Sequence, residues 1–262
     1  MKLILRLFLA LLAALVFAGL VAGPVSPQGL AAGVPVTGQK MAIPTYFYPG
    51  PGWTRAEKGA PTVGLVIINP NSGPGASKDP AYAAEVTRAR ARGLVVLGYV
   101  YTSNGLRAGA VVKSEVDKYY LWYGLDGIFF DEADPSDCSK QAYYKNLYNY
   151  VKAKGGVARV VINPGTNLPE CYISTTDIML NFEGGYNAYV TWRPSAWVAK
   201  YPAKRFWQLV YATPQGNIAQ AVAMSKNRNA GWVYVTPDVL ANPWDTLPPL
   251  SYWNSELSLV RQ

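Results

Sequence analysis

Leu125-Asp126-Gly127-Ile128-Phe129-Phe130-Asp131-Glu132-Ala133 runs apolar through its middle and stops on two adjacent carboxylates. A short apolar run of this kind, without strict alternation, reads as a strand covered on both faces, as in a parallel sheet. Working outward from it, comparable runs recur upstream at Ala42–Tyr48, Val63–Asn69 and Leu94–Tyr101. Downstream they recur at Ala158–Asn163, Asp177–Glu183, Arg205–Tyr211 and Gly231–Thr236. With Leu125–Asp131 itself, the chain presents eight candidate strands.

Helical punctuation separates them. Asp79-Pro80 supplies an N-cap followed by proline at the first helical position, Tyr82, Val86 and Ala89 share one face, and Gly93 stops the segment. A second helix is expected from about Val111 to Tyr123, halted by Gly124. A third spans roughly Gln141 to Lys154, turns Tyr144, Leu147 and Val151 inward, and ends at Gly155-Gly156. A fourth begins at Thr213-Pro214 with Ile218 and Val222 inward, whereas Pro49–Pro61 reads as loop. Strand and helix in alternation imply parallel strands with right-handed crossovers, and eight of them predict an α/β fold of the closed (β/α)8 TIM-barrel type in a single domain. No Gly-x-Gly-x-x-Gly or Walker loop follows any strand, which argues against nucleotide binding. One echo stands out: Val66-Ile67-Ile68-Asn69-Pro70 recurs as Val160-Val161-Ile162-Asn163-Pro164.

The first residues read differently. Lys2 and Arg6 precede an apolar run from Leu7 to Ala22, followed by the small and proline-rich stretch Gly23, Pro24, Pro27, Gly29, Ala31 and Ala32. This pattern predicts a cleaved signal peptide and short linker over 1–33, an uncleaved anchor being the structural alternative, with the barrel over 34–262. The protein is accordingly expected to be secreted and, once cleaved, free of stable membrane insertion. Removing Lys2 and Arg6 from 24 basic residues leaves 22 against 16 acidic ones, a net +6. Most of that excess reads as solvated helix faces, as at Arg88, Arg90 and Arg92, and no basic run interleaves with aromatics as nucleic-acid binding would need.

The chain contains no histidine, which excludes a Ser-His-Asp triad, a Cys-His pair and His-ligated zinc. Its two cysteines, Cys138 and Cys171, fall in neighbouring loops of the predicted barrel and are expected to form a disulfide. No cofactor is called for, and a divalent-cation site at Asp131-Glu132 is only the lesser reading of that pair.

In a (β/α)8 protein the chemistry gathers at the C-terminal ends of the strands. Asp131 and Glu132 close the fourth strand and Glu183 the sixth, while Asp126 and Asp177 start strands and belong to the stability face. Two carboxyl groups, one kept protonated by crowding and burial, are what glycoside hydrolysis requires. The expected roles are Asp131 as nucleophile or stabiliser and Glu183 as acid/base. Strand parity places Glu132 on the opposite side from Asp131 unless the strand turns as it ends. Tyr46, Tyr48, Asn69, Asn71, Tyr99, Tyr101, Asn163, Tyr211 and Tyr234 also fall at strand ends and offer stacking faces and hydrogen bonds for a polysaccharide. The competing reading is a non-catalytic, glycan-binding cell-wall or spore-coat protein that uses the same groove.

Pro44-Thr45-Tyr46-Phe47-Tyr48-Pro49 and Ile67-Ile68-Asn69-Pro70-Asn71-Ser72-Gly73-Pro74-Gly75 resemble the opening of the spherulin-4 (spherulation-specific) family. Gly98-Tyr99-Val100, Trp122 to Ala133, Asn163-Pro164-Gly165-Thr166 and Phe182-Glu183 continue the resemblance in order. It implies a (β/α)8 glycoside hydrolase related to fungal N-acetylgalactosaminidases that cleave galactosaminogalactan. It also implies catalytic carboxylates at Asp131, Glu132 and Glu183. A monomer acting on an exopolysaccharide rich in galactosamine or N-acetylgalactosamine is the resulting expectation.

Overall fold

The computed structural model describes residues 35–133, 136–155 and 157–262. The expected leader, 1–33, and the helix stop at Gly156 lie outside the described residues. Eight parallel strands close into a barrel in sequence order: β1 (Lys40–Pro44), β2 (Val63–Ile68), β3 (Val95–Tyr101), β4 (Gly127–Asp131), β5 (Arg159–Ile162), β6 (Ile178–Gly185), β7 (Phe206–Tyr211) and β8 (Trp232–Val235). All six residues of β2 are buried, because the barrel interior takes one face and the helices the other.

Four helices lie close to where the punctuation places them: α2 (Pro80–Ala91), α3 (Gly109–Tyr123), α4 (Gln141–Lys152) and α6 (Ile218–Asn227). Two more, α5 (Tyr186–Thr191) and α7 (Leu250–Arg261), form where no helix was expected. Asp79 caps α2 by accepting from the Ala81 N–H at 2.8 Å, and Gly124 ends α3 in the left-handed conformation that glycine adopts without cost. One expectation fails: Pro49–Pro61 is not loop throughout, for it holds α1 (Pro51–Lys58). Trp53 and Ala56 are fully buried, and the Trp53 indole donates to the Phe47 carbonyl at 3.1 Å. Burying one tryptophan outweighs the poor propensity of a short segment that opens Pro-Gly.

The closing seam is short. β1 pairs with β8 only at Lys40–Trp232 and Met41–Val233. Above it the Val235 N–H donates to the Glu256 carboxyl of α7 at 2.6 Å instead of to a neighbouring strand. Glu256 is fully buried, and burial pushes its pKa well above the usual carboxylate range, so it sits in the fold as the neutral acid. Cys138 and Cys171 are bonded, with Cα atoms 6.2 Å apart, and tie the β4–α4 connection to the β5–β6 connection. The acids at the strand starts serve stability. Asp126 accepts from the Val96 N–H and pairs with Arg90, and Asp177 accepts from the Val160 N–H and pairs with Lys152.

Candidate active site at the barrel mouth

Asp131 is the last residue of β4 and shares the parity of Phe129, whose ring packs inside the barrel against Trp207 and Tyr99. Asp131 therefore points to the axis. Glu183 reaches the same place by a less regular route. Leu180 pairs with the inward Trp207, so simple alternation would send Phe182 inward and Glu183 out. The register shifts between Leu180 and Phe182, with Asn181 as the extra residue, and Glu183 comes to pair with the inward Leu209. Phe182 turns outward onto Tyr189 and Trp192. This β-bulge aims the carboxyl into the mouth.

One side chain joins the two acids. The Asn163 amide, at the end of β5, donates to Asp131 Oδ1 at 2.8 Å and to Glu183 Oε2 at 2.6 Å. Its own oxygen accepts from the Gly165 N–H at 2.8 Å, which fixes the amide orientation. Glu183 Oε1 accepts from the Trp244 indole at 2.8 Å. The Glu183 pKa is raised to about 7, by burial first and then by the nearby Asp131 charge, against hydrogen bonds from Asn163 and Trp244 that favour the carboxylate. Burial also raises the Asp131 pKa, while hydrogen bonds from the Tyr99 hydroxyl, the Glu132 N–H and Asn163 hold it down. The environments thus separate an acid that keeps its proton near neutrality from one with more support as the anion.

Glu132 follows the acid strand in a left-handed conformation, φ 52°, and stays exposed at the rim. The chain does turn there, because Thr102 clamps it: the Thr102 hydroxyl donates to the carbonyls of Asp131 and Glu132, each at 2.9 Å. A non-glycine residue at positive φ costs about 1–2 kcal/mol. Such strain at the end of a barrel strand marks a place where geometry is imposed by its surroundings.

The predicted lining is divided by the structure. Tyr99, Asn163 and Tyr46 surround the acids, and burial together with Asp131 and Glu183 drives the Tyr46 pKa well above 10.0. Tyr211 sits at the rim, 6.2 Å from the Trp244 ring. Tyr101 is capped by the Arg107 guanidinium at 3.8 Å, which Glu115 holds in turn. Asn69 is spent on its own loop, accepting from the Gly73 N–H at 3.0 Å, and Asn71 is an exposed loop residue. β1 ends at Pro44, so Tyr48 lies beyond it, 62% exposed, with its hydroxyl donating to Asp79 at the α2 cap. One expectation is corrected. Tyr234 is fully buried beneath Trp244 and offers no face to a ligand.

Trp244, from the β8–α7 loop, is the functional residue that strand-end reasoning passes over. Its signal was a tryptophan in a polar, proline-containing loop at the end of the barrel where sites form. Among the described residues no group of three acidic or cysteine side chains is placed to hold a metal ion.

Residues 40–260 match the family described as spherulation-specific family 4. The chain belongs to that family. It is 36% identical over 234 residues to Spherulin-4 of Physarum polycephalum, covering 84% of this chain and 70% of that protein. Among solved structures, Sph3 of Aspergillus clavatus in complex with GalNAc superposes with a TM-score of 0.74 at 25% identity, over 87% of this chain and 98% of that one. A chitinase from Chromobacterium violaceum superposes with a TM-score of 0.56 at 12% identity, over 85% and 99% of the two chains, which is a likeness of fold. This spherulation-specific family 4 member therefore has a barrel of the glycoside-hydrolase kind.

Proposed function

We propose that this protein is a secreted glycoside hydrolase that cleaves within an exopolysaccharide containing galactosamine or N-acetylgalactosamine. The observation that carries the reading is the Asn163 bridge, which brings a carboxyl of pKa about 7 beside a better-supported carboxylate. One amide nitrogen donates to both acids, which holds Asp131 Oδ1 and Glu183 Oε2 no more than about 5.4 Å apart. That spacing favours a retaining double displacement, for which the two carboxyl groups are about 5–5.5 Å apart, over an inverting site that must hold a water between them.

In this mechanism Glu183 donates its proton to the glycosidic oxygen as the bond to the anomeric carbon breaks. Asp131 attacks that carbon, and water then releases the sugar with Glu183 accepting the proton. Glu132, exposed beside them, is placed to meet polar substituents of the bound sugar. The GalNAc held by the Aspergillus protein supports the choice of amino sugar, and the disulfide supports an oxidising, extracellular setting.

The test is release of new reducing ends from acetylated and deacetylated galactosamine polymers by the purified protein. Asp131→Asn and Glu183→Gln should each lower kcat by about 10²–10⁴-fold with the fold intact, and the first-formed product should retain its anomeric configuration by proton NMR. Full activity in either variant would overturn the assignment, and binding without cleavage would replace the hydrolase with a glycan-binding protein.

A further inference from the structure

The opposite end of the barrel carries a cavity of about 320 Å³, which the hydrolase reading does not use. Lys40 at the start of β1, Arg159 at the start of β5 and Lys204 in the short turn before β7 all line it, and no carboxylate does. All three cations are exposed, and among the described residues none belongs to an ion pair. The acids at the strand starts are already engaged, Asp126 by Arg90 and Asp177 by Lys152. Three like charges therefore line one cavity with no carboxylate in its wall.

Their backbones are fixed rather than trailing. Lys40 N–H donates to the Gly231 carbonyl at 3.0 Å, and Gly231 N–H donates to the Ala203 carbonyl at 2.8 Å. The Trp232 indole donates to the Lys204 carbonyl at 3.0 Å, and Arg159 N–H donates to the Asp126 carbonyl at 2.8 Å. Two glycines make the approach possible. A Cβ on Gly231 would lie 2.7 Å from the Ala203 carbonyl and the Lys204 backbone. Gly64 is the residue skipped where the β1–β2 register shifts, and a Cβ there would stand 3.0 Å from both the Lys40 stem and the Trp232 ring.

We propose that this cavity binds a multivalent oxyanion, a phosphate or sulfate group either free or carried on a polymer. Three cations around one opening match a group that presents several anionic oxygens, and such charge-assisted contacts are the strong ones. The volume lies at the low end for ligand sites, enough for one anionic group and a sugar-sized body against the part-exposed Trp232. Bound there, the anion would hold the protein to a charged matrix by its closed end while the mouth with Asp131 and Glu183 stays free.

Isothermal titration calorimetry of the secreted chain with sodium tripolyphosphate tests this, with dextran sulfate and neutral dextran as parallel arms. One tripolyphosphate per chain is expected, weakened about tenfold or more in Lys40→Gln/Arg159→Gln/Lys204→Gln, about 1.4 kcal/mol. The equally charged control Lys58→Gln/Lys78→Gln/Lys118→Gln should match wild type. Binding of dextran sulfate alone, lost in the cavity variant and kept in the control, places the group on a polymer and supports the proposal. Equal loss in both variants, or no binding of either anion by wild type, would overturn it. Circular dichroism confirms that the variants are folded, and hydrolysis at the far mouth should be unchanged in all of them.

Discussion

Replacing Trp244 with phenylalanine isolates the control of the Glu183 proton. The substitution keeps an aromatic ring against Tyr234 and Tyr211 and removes the single N–H that reaches Glu183 at 2.8 Å. A hydrogen bond to a charged group contributes about 1.5–3 kcal/mol, and about 1.4 kcal/mol corresponds to one pKa unit. Part of the loss is recovered, because water can enter where the indole stood, so a rise of about one unit is expected. The sign follows from which form the bond favours. The indole N–H stabilises the carboxylate, its removal favours the acid, and a general acid works only while it holds its proton. The alkaline limb of kcat/KM, set by Glu183 near pH 7 in wild type, should therefore move to about pH 8. The assay is the pH profile of reducing-end release, with Glu183→Gln as the variant in which that limb disappears. An unmoved limb, or one shifted to lower pH, would refute the claim that Trp244 tunes this acid.

Three further outcomes follow from the same geometry. Asp131→Asn removes the charge that helps hold the Glu183 proton, so the residual activity should lose its alkaline limb at lower pH than wild type, read from the same profile. Cys138→Ser should cost about 3–4 kcal/mol in urea unfolding, for a bridge that closes 33 residues, and the denatured, unreduced wild type should titrate no free thiol. Glu256 keeps its proton in the fold at pH values where the unfolded chain, with a carboxyl pKa near 4.3, has lost it. Unfolding in that window releases a proton, so this group weakens the fold as pH rises from about 4.3 toward its raised folded value. Glu256→Gln keeps an oxygen for the Val235 N–H and should equal wild type near pH 4 and exceed its thermal stability at pH 8.

The barrel was legible because its strands are continuous apolar runs closed by polar residues, and a parallel strand buried on both faces leaves that trace whatever its partners are. The same reasoning located Asp131, Asn163 and Glu183. It failed where local composition and tertiary burial disagree. The segment Pro51–Lys58 has the residues of a loop, and only the pocket that swallows Trp53 makes it a helix. Tyr48 and Tyr234 share the chemistry of Tyr99, and nothing in the chain says that one lies beyond its strand and another beneath an indole. The repeated Asn-Pro endings show both sides. Asn69 accepts from a glycine N–H four residues on and Asn163 from one two residues on, so the shared ending closes two different turns, and only Asn163 spends its amide nitrogen on the acids.

The additional residue in β6 gives the site a sensitivity unlike that of the rest of the sheet. Elsewhere along a strand, exchanging one side chain alters one contact. If Asn181 were paired regularly, with no register shift, Phe182 would meet Leu209 and Glu183 would meet Val210, sending the carboxyl of Glu183 toward the outer helices and Phe182 into the opening. A descendant of this chain could thus retain both acids in its sequence, fold as a barrel, and still lack a paired site. For members of this family, the way the sixth strand pairs across its bulge is as informative as the presence of the glutamate.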